Sequence, residues 1–178
     1  MIVLCRHGST DANIAGAFLS KGDPPLNALG RSQSERARIA LREMAFGVAF
    51  TSPMRRCVET LALVAPHVEF RCEDALREVD FGEWEGRTLE WLEMHDPEGV
   101  ARRRRDPVTF RPARGESFLD VSRRLQPFAT AVRAQARKSI LLVGHRGTLG
   151  VLERMLRNIP LDSREPAPLE PGEYHIVS

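Results

Sequence analysis

Two apolar runs, far apart in the chain, each lead into a histidine, and no other feature constrains the fold as much. Met1 to Cys5 leads into Arg6-His7-Gly8-Ser9-Thr10, and Ile140 to Val143 leads into Gly144-His145-Arg146-Gly147. Unbroken apolar runs this short, rich in β-branched residues, read as strands buried on both faces of a parallel sheet. In open α/β sheets the ligand crevice lies beyond the carboxyl ends of the strands. Both imidazoles are therefore expected at one sheet edge. A neutral imidazole can attack phosphorus and a guanidinium can hold two phosphoryl oxygens at once, so the paired Arg and His point to phosphoryl chemistry.

Further apolar runs at Val48–Thr51, Val68–Cys72 and Tyr174–Val177 predict more strands. Helical spacing fills the intervals. Ala37, Ala40, Leu41 and Met44 share one face of a helix opened by Asn27, and Val58, Leu61, Ala62 and Ala65 share a face of another that stops at Pro66. Phe118, Val121, Leu125, Phe128, Ala129 and Val132 form the longest stripe, opened by Ser117 with Asp120 in a capping-box arrangement. Pro127 is expected to kink or split that helix. Leu149, Leu152, Met155 and Leu156 make a last stripe after His145. This alternation predicts the α/β class: a three-layer α/β/α fold with a mostly parallel central sheet. Residues 1–178 read as a single domain, and about 83–114, which fit neither period, read as a small lid-like insertion over the catalytic edge. Pro160 to Pro171, with four prolines, predicts an extended connection to the last strand.

At 178 residues the chain is long enough for one substantial core, and its 42% hydrophobic and 28% charged residues are those of a globular domain. A formal net charge of +2 argues against nucleic acid or a membrane surface as partner. No apolar run reaches membrane-spanning length, and the opening run ends at Arg6, too early for a secretory signal. The cysteines, Cys5, Cys57 and Cys72, are sparse and odd in number, which fits a reducing compartment, and each lies where a small buried thiol is expected. The expected location is the cytoplasm. A cysteine phosphatase needs an arginine six residues after its nucleophile, whereas Asp11, Leu63 and Glu78 stand at those positions. His67, His95 and His175 lack partners at metal-ligand spacing, so neither a metal nor a cofactor is expected.

Taken in order, several segments carry a resemblance. They are Arg6-His7-Gly8 with Thr10 and Asn13, then Pro25-Leu26-Asn27-Ala28-Leu29-Gly30 and Ser52-Pro53-Met54-Arg55-Arg56. Leu76-Arg77-Glu78-Val79-Asp80-Phe81-Gly82, Gly115-Glu116-Ser117 and Gly144-His145 follow. Over about residues 1–157 the chain resembles the histidine phosphatase superfamily, which includes the cofactor-dependent phosphoglycerate mutases. The resemblance implies the phosphoglycerate mutase-like fold, with an antiparallel edge strand. It also implies a metal-independent phosphomonoesterase acting on a small phosphorylated metabolite. By the same resemblance His7 is the nucleophile that becomes phosphohistidine, Arg6 and Arg56 clamp the phosphoryl group, and His145 binds one of its oxygens. Asn13 is a further phosphoryl or substrate contact. Arg56 is chosen over Arg55 because it stands four residues after Ser52, which leaves Arg55 on the helix surface. Glu78 is the implied general acid, selected from Glu73, Asp74, Asp80, Glu83 and Glu85 by the pattern Leu-x-Glu-x-x-x-Gly.

The chain departs from its relatives at Ser9, where many have Glu or Gln, and at Arg146, where many have Gly. Arg146 is expected either to bind a second acidic group of the substrate or to pair with Glu78 or Asp80. Lys21 reads as a solvated loop residue, and Arg102 to Arg105 as a solvated face outside the site. The stretch between the acid motif and the second histidine is shorter than in the mutases, which favours the phosphatase branch. The competing readings are a phosphoglycerate mutase and a non-catalytic phospho-ligand-binding regulatory protein. The residues name neither the phosphoester nor the choice between monomer and homodimer.

Overall fold

The computed structural model describes residues 1–135 and 138–177. Five strands form one sheet: β1 (Ile2–Arg6), β2 (Val48–Thr51), β3 (Phe70–Cys72), β4 (Ile140–Gly144) and β5 (Tyr174–Val177). Their spatial order is β3-β2-β4-β1-β5, with all neighbours parallel except β5, which runs antiparallel to β1 at the edge. Each expected strand is present. β3 starts at Phe70 rather than Val68 because the Val68 N–H closes a turn onto the Ala65 carbonyl. Cys72 on this edge strand is exposed, against the expectation of a buried thiol, while Cys5 and Cys57 are buried.

The helices in the first half are α1 (Asp11–Ile14), α2 (Ala28–Leu41) and α3 (Arg55–Val64). Then follow α4 (Leu89–His95), α5 (Pro97–Arg105), α6 (Phe118–Ala134) and α7 (Arg146–Arg157). On β4, Ile140 and Leu142 face α6 and α7, whereas Leu141 and Val143 face α2 and α3. Every residue of β1 and β4 is buried, which is why neither strand shows a polar alternation.

Two helix faces differ from expectation. In α2 the inward residues are Gly30, Ser34, Ala37 and Leu41, while Ala40 is exposed and Met44 lies beyond the helix end. In α3 they are Cys57, Thr60, Leu61 and Val64, and Ala62 is exposed. Thr60 takes an inward slot because its hydroxyl is satisfied there: it donates to the Arg56 carbonyl at 2.8 Å and accepts the Gly8 N–H at 3.0 Å. α6 keeps the expected Ser117–Asp120 capping box but runs unbroken through Pro127. Pro127 and Arg123 are both exposed, so the carbonyl left without its N–H partner faces water.

Residues 83–114, aperiodic in sequence, hold α4 and α5 around a small core of Trp84, Leu92 and Val100. Each helix is too short to show a stripe. The start of α5 was nonetheless marked: Asp96 accepts the Gly99 N–H at 3.0 Å, and Pro97 occupies the first turn. This unit meets residues 16–22 through bonds between Phe18 and both Arg87 and Gly86. Residues 160–173 form no helix or strand, as the prolines predicted.

The segment after β1 is seated on α2 by two glycines. A Cβ on Gly8 would lie 2.3 Å from the Gly30 carbonyl oxygen, and one on Gly30 would lie 2.1 Å from the Ser9 oxygen. Both obstacles are backbone, so neither can swing aside. Gly30→Ala should lower stability in urea denaturation by about 1–3 kcal/mol, the usual cost of overpacking. An unchanged midpoint would show that the loop carrying His7 is not wedged as described.

Candidate active site

The register of the sheet brings the two histidines together. Arg6 on β1 is paired with Gly144 on β4, and the His7 N–H donates to the Gly144 carbonyl at 3.0 Å. The chain then delivers His7 and His145 from adjacent strand ends, with ring centroids 5.1 Å apart and planes at 66°. On the other side of β4, the Ser52 N–H bonds the Val143 carbonyl at 3.0 Å, which sets the start of α3 at the same edge.

His7 is 4% exposed, and its Nδ1 lies 2.7 Å from the carbonyl oxygen of Gly8. A carbonyl only accepts, so Nδ1 carries the proton and Nε2 keeps its lone pair. Burial pushes the His7 imidazole down to about 3, Arg56 and Arg6 add to this, and the Gly8 bond opposes it. The ring is therefore neutral near pH 7. His145 is fully buried, and burial, then His7 and the arginines, hold it well below the ordinary histidine range. Its Nε2 lies 2.9 Å from the Ser52 hydroxyl and 3.5 Å from the Cys57 sulfur. With Ser52 donating, Nδ1 of His145 bears the ring proton.

Arg56 is 1% exposed, with Nη1 donating to the Gly22 carbonyl at 2.8 Å. Arg6 donates through Nη1 to the Leu169 carbonyl at 3.0 Å. Arg6 Nε and Arg56 Nη2 are buried with no hydrogen-bond partner among the described residues. Buried charged donors left unpaired are costly, and here they sit beside a neutral imidazole. Arg55, by contrast, is exposed and pairs with Glu59 at 2.7 Å.

These groups border a cavity of about 610 Å³. Arg6, His7, Asn13, Arg56 and Glu78 line it; His145 does not, being packed behind His7. Asn13 also uses its Oδ1 to accept the Thr10 N–H at 2.9 Å, closing the cap of α1. Among the acidic residues weighed around Glu78, only Glu78 reaches the cavity wall. Glu73 caps Ala75, Asp74 pairs with Arg77, Asp80 with Lys21 and Glu83 with Arg114. The Glu78 carboxylate is held at the start of α7 by the N–H groups of Gly147 (3.2 Å) and Thr148 (3.0 Å). Glu116 steadies the same segment: it accepts the Asp80 N–H at 3.0 Å and pairs with Arg124, which binds the carbonyls of Ala75, Arg77 and Glu78.

Arg146 pairs with neither Glu78 nor Asp80; its partner is Glu170 at 3.4 Å, which also lies 3.6 Å from Arg6. The reading of Arg102 to Arg105 as a solvated face fails at Arg103, which lines the cavity. Its inward aim was legible, since it stands one turn after the buried Val100. Glu85 was also missed as a positioning group. Its carboxylate accepts the N–H groups of Ser20, Lys21 and Gly22, and so fixes the carbonyl that holds Arg56. Burial pushes Glu85 up, but the Ser20 hydroxyl and those amides outweigh it and leave the carboxyl below its usual range.

For His7 the folded value, about 3, lies below the ordinary 6.5, so between these pH values the unfolded chain binds the extra proton. The stability contributed by neutral His7 is present above pH 6.5 and is lost as pH falls toward 3. Nitrogen-detected NMR should show His7 as the Nδ1–H tautomer with no titration between about pH 5 and 9. A His7 midpoint near the ordinary value would contradict the dry, cationic surroundings described.

Comparison with known proteins places this geometry. The Histidine phosphatase superfamily (branch 1) matches residues 2–178. Mouse 6-phosphofructo-2-kinase/fructose-2,6-bisphosphatase 1 is 31% identical over 154 residues, covering 85% of this chain and 31% of that protein. The chain thus spans about a third of that relative's length. The adenosylcobalamin/alpha-ribazole phosphatase of Escherichia coli K12 is 31% identical over 163 residues, covering 90% of this chain and 80% of that one. The crystal structure of the alpha-ribazole phosphatase from Shigella flexneri superimposes with a TM-score of 0.86 at 28% identity, covering 97% of this chain and 87% of that one. A match over nearly every residue, on the three-layer fold described above, is decisive: the chain belongs to branch 1 of the histidine phosphatase superfamily.

Proposed function

We propose that the chain is a metal-independent phosphomonoesterase that hydrolyses a small phosphorylated metabolite through a phosphohistidine on His7. The observation that carries this reading is the pair of buried, unpartnered guanidinium donors, Arg6 Nε and Arg56 Nη2, beside a neutral His7 on one cavity. A phosphoryl group supplies the oxygens these donors lack. Fixed cationic donors then stabilise the charge that spreads over those oxygens during transfer.

In the first step the Nε2 lone pair of His7 attacks phosphorus and the bond to the leaving oxygen breaks, while Glu78 gives that oxygen a proton. In the second, water attacks the phosphohistidine, Glu78 takes the water's proton, the P–N bond breaks and orthophosphate leaves. His145, bonded to Ser52 behind the cavity wall, packs edge-on against the His7 ring and holds the nucleophile in place. Asn13 is a further contact at the cavity wall. The relatives' names support a phosphomonoester substrate, since they include phosphatases of phosphorylated metabolites. Among the described residues no helix is long and apolar enough to cross a membrane. The free thiols, one of them exposed, support a reducing, cytoplasmic setting.

Assay of phosphate release from a panel of metabolite phosphates should show turnover that survives EDTA. His7→Ala should reduce it to less than about a thousandth of native, and Arg56→Ala should lower kcat by about a hundredfold or more. A strict metal requirement, or isomer rather than free phosphate from 3-phosphoglycerate supplied with its bisphosphate, would overturn the hydrolase reading.

A further inference from the structure

Arg103 is the feature that the phosphatase scheme leaves unexplained. It is half-buried on α5, where its neighbours Arg102, Arg104 and Arg105 are exposed. Arg104 pairs with Glu93, but Arg103 makes no ion pair or hydrogen bond with the described residues. Its guanidinium is instead laid on aromatic faces, with Cζ 5.0 Å from the Phe18 ring centroid and 5.8 Å from that of Trp84. Those rings pack against each other at 5.7 Å, so the platform is itself fixed.

Attraction to the rings holds the guanidinium in place without engaging its N–H donors, which stay available for two-point contact with an oxyanion. Arg103 lines the cavity that also contains His7, Arg6 and Arg56, and so does Arg146. Arg146 is half-exposed at the start of α7, with Glu170 as its ion partner at 3.4 Å. Burial lowers the affinity of Arg103 for its proton and the charge of Arg146 lowers it further, outweighing the opposing pull of the Glu78 carboxylate. Two like charges that repel across one cavity, one of them with no carboxylate in ion-pair contact, are relieved further by an anion arriving from outside.

We propose that Arg103 and Arg146 form a second anion subsite, so that preferred substrates carry another acidic group, carboxylate or phosphate, besides the phosphoryl group that His7 attacks. This deepens the phosphatase reading and rests on it. Arg103 is thereby a specificity-determining residue, brought to the site by the helical unit at 83–114.

The test uses two substrate pairs that differ in the second group alone or nearly so. 3-Phosphoglycerate is set against glycerol 3-phosphate for a carboxylate, and glucose 1,6-bisphosphate against glucose 6-phosphate for a phosphate. The native enzyme should favour the acidic member of at least one pair by about tenfold or more in kcat/KM. Which pair responds identifies the group. Arg103→Met keeps a side chain to fill the aromatic platform, and it should bring that ratio close to one, mainly by raising KM for the acidic member. Arg103→Lys should restore part of the preference. Arg146→Met, on a half-exposed side chain, repeats the test without touching the platform. Ratios near one in the native enzyme, or a preference that survives both Met variants with native-like thermal melts, would overturn the subsite and leave the phosphatase reading standing. Release of phosphate from none of the four compounds would overturn the subsite, and release from no member of the wider metabolite panel either would overturn the phosphatase reading with it.

Discussion

Parallel pairing of β1 with β4, closed at its end by the His7 N–H on the Gly144 carbonyl, is the interaction on which the rest of the structure depends. It sets two imidazoles side by side at the carboxyl edge of a sheet buried on both faces. Because the strands are dry, the rings are neutral, and because they are neutral, one of them can act as a nucleophile near pH 7. A one-residue slip of β1 against β4 would exchange the sheet face of every β1 side chain and separate the rings. The cores on both faces forbid it, since Leu4 and Val3 already lie in different layers.

Around that pair, the site is a set of buried charges whose partners are incomplete. Arg56 is fixed by the Gly22 carbonyl, which Glu85 fixes in turn; Arg6 is fixed by the Leu169 carbonyl. Each arginine has one donor pinned to backbone and another left without a partner. Such an arrangement sacrifices stability, and the fold supports it because the backbone carbonyls belong to segments held independently of any ligand. The Glu116–Arg124 pair does the same for the Glu78 segment from the opposite face. Catalysis by preorganised donors needs this rigidity, since donors that had to reorient during reaction would give back much of their benefit.

Much of this was legible in the residues, and the exceptions have physical causes. Strands buried on both faces advertise themselves as unbroken apolar runs, so β1, β2 and β4 could be read directly, as could the caps at Asn27 and Ser117. Helix faces were misread by about a residue where a polar side chain found partners inside: Thr60 takes an inward slot that an apolar count gives to Val58 or Ala62. Residues 83–114 looked irregular because two short helices share a core too small to imprint a stripe on either. The placement of His7, Arg6, Arg56 and Glu78 on one cavity agrees with the motifs, whereas His145 sits behind the wall rather than in it. Charge runs are usually solvated, and three of the four arginines at 102–105 are exposed; Arg103 departs because the Phe18 and Trp84 faces offer it a place inside. Glu85 carried no signal in sequence, since its partners are backbone amides more than sixty residues away.

The central claim is that one ring, His7, accepts the phosphoryl group. The direct measurement is to quench the enzyme during turnover of a radiolabelled phosphomonoester and map the label by peptide analysis. The account predicts label on His7, lost in acid and retained in base, as expected of a phosphorus–nitrogen bond. Label on a serine or carboxylate, label on His145 alone, or undiminished labelling of a His7→Ala protein would contradict it.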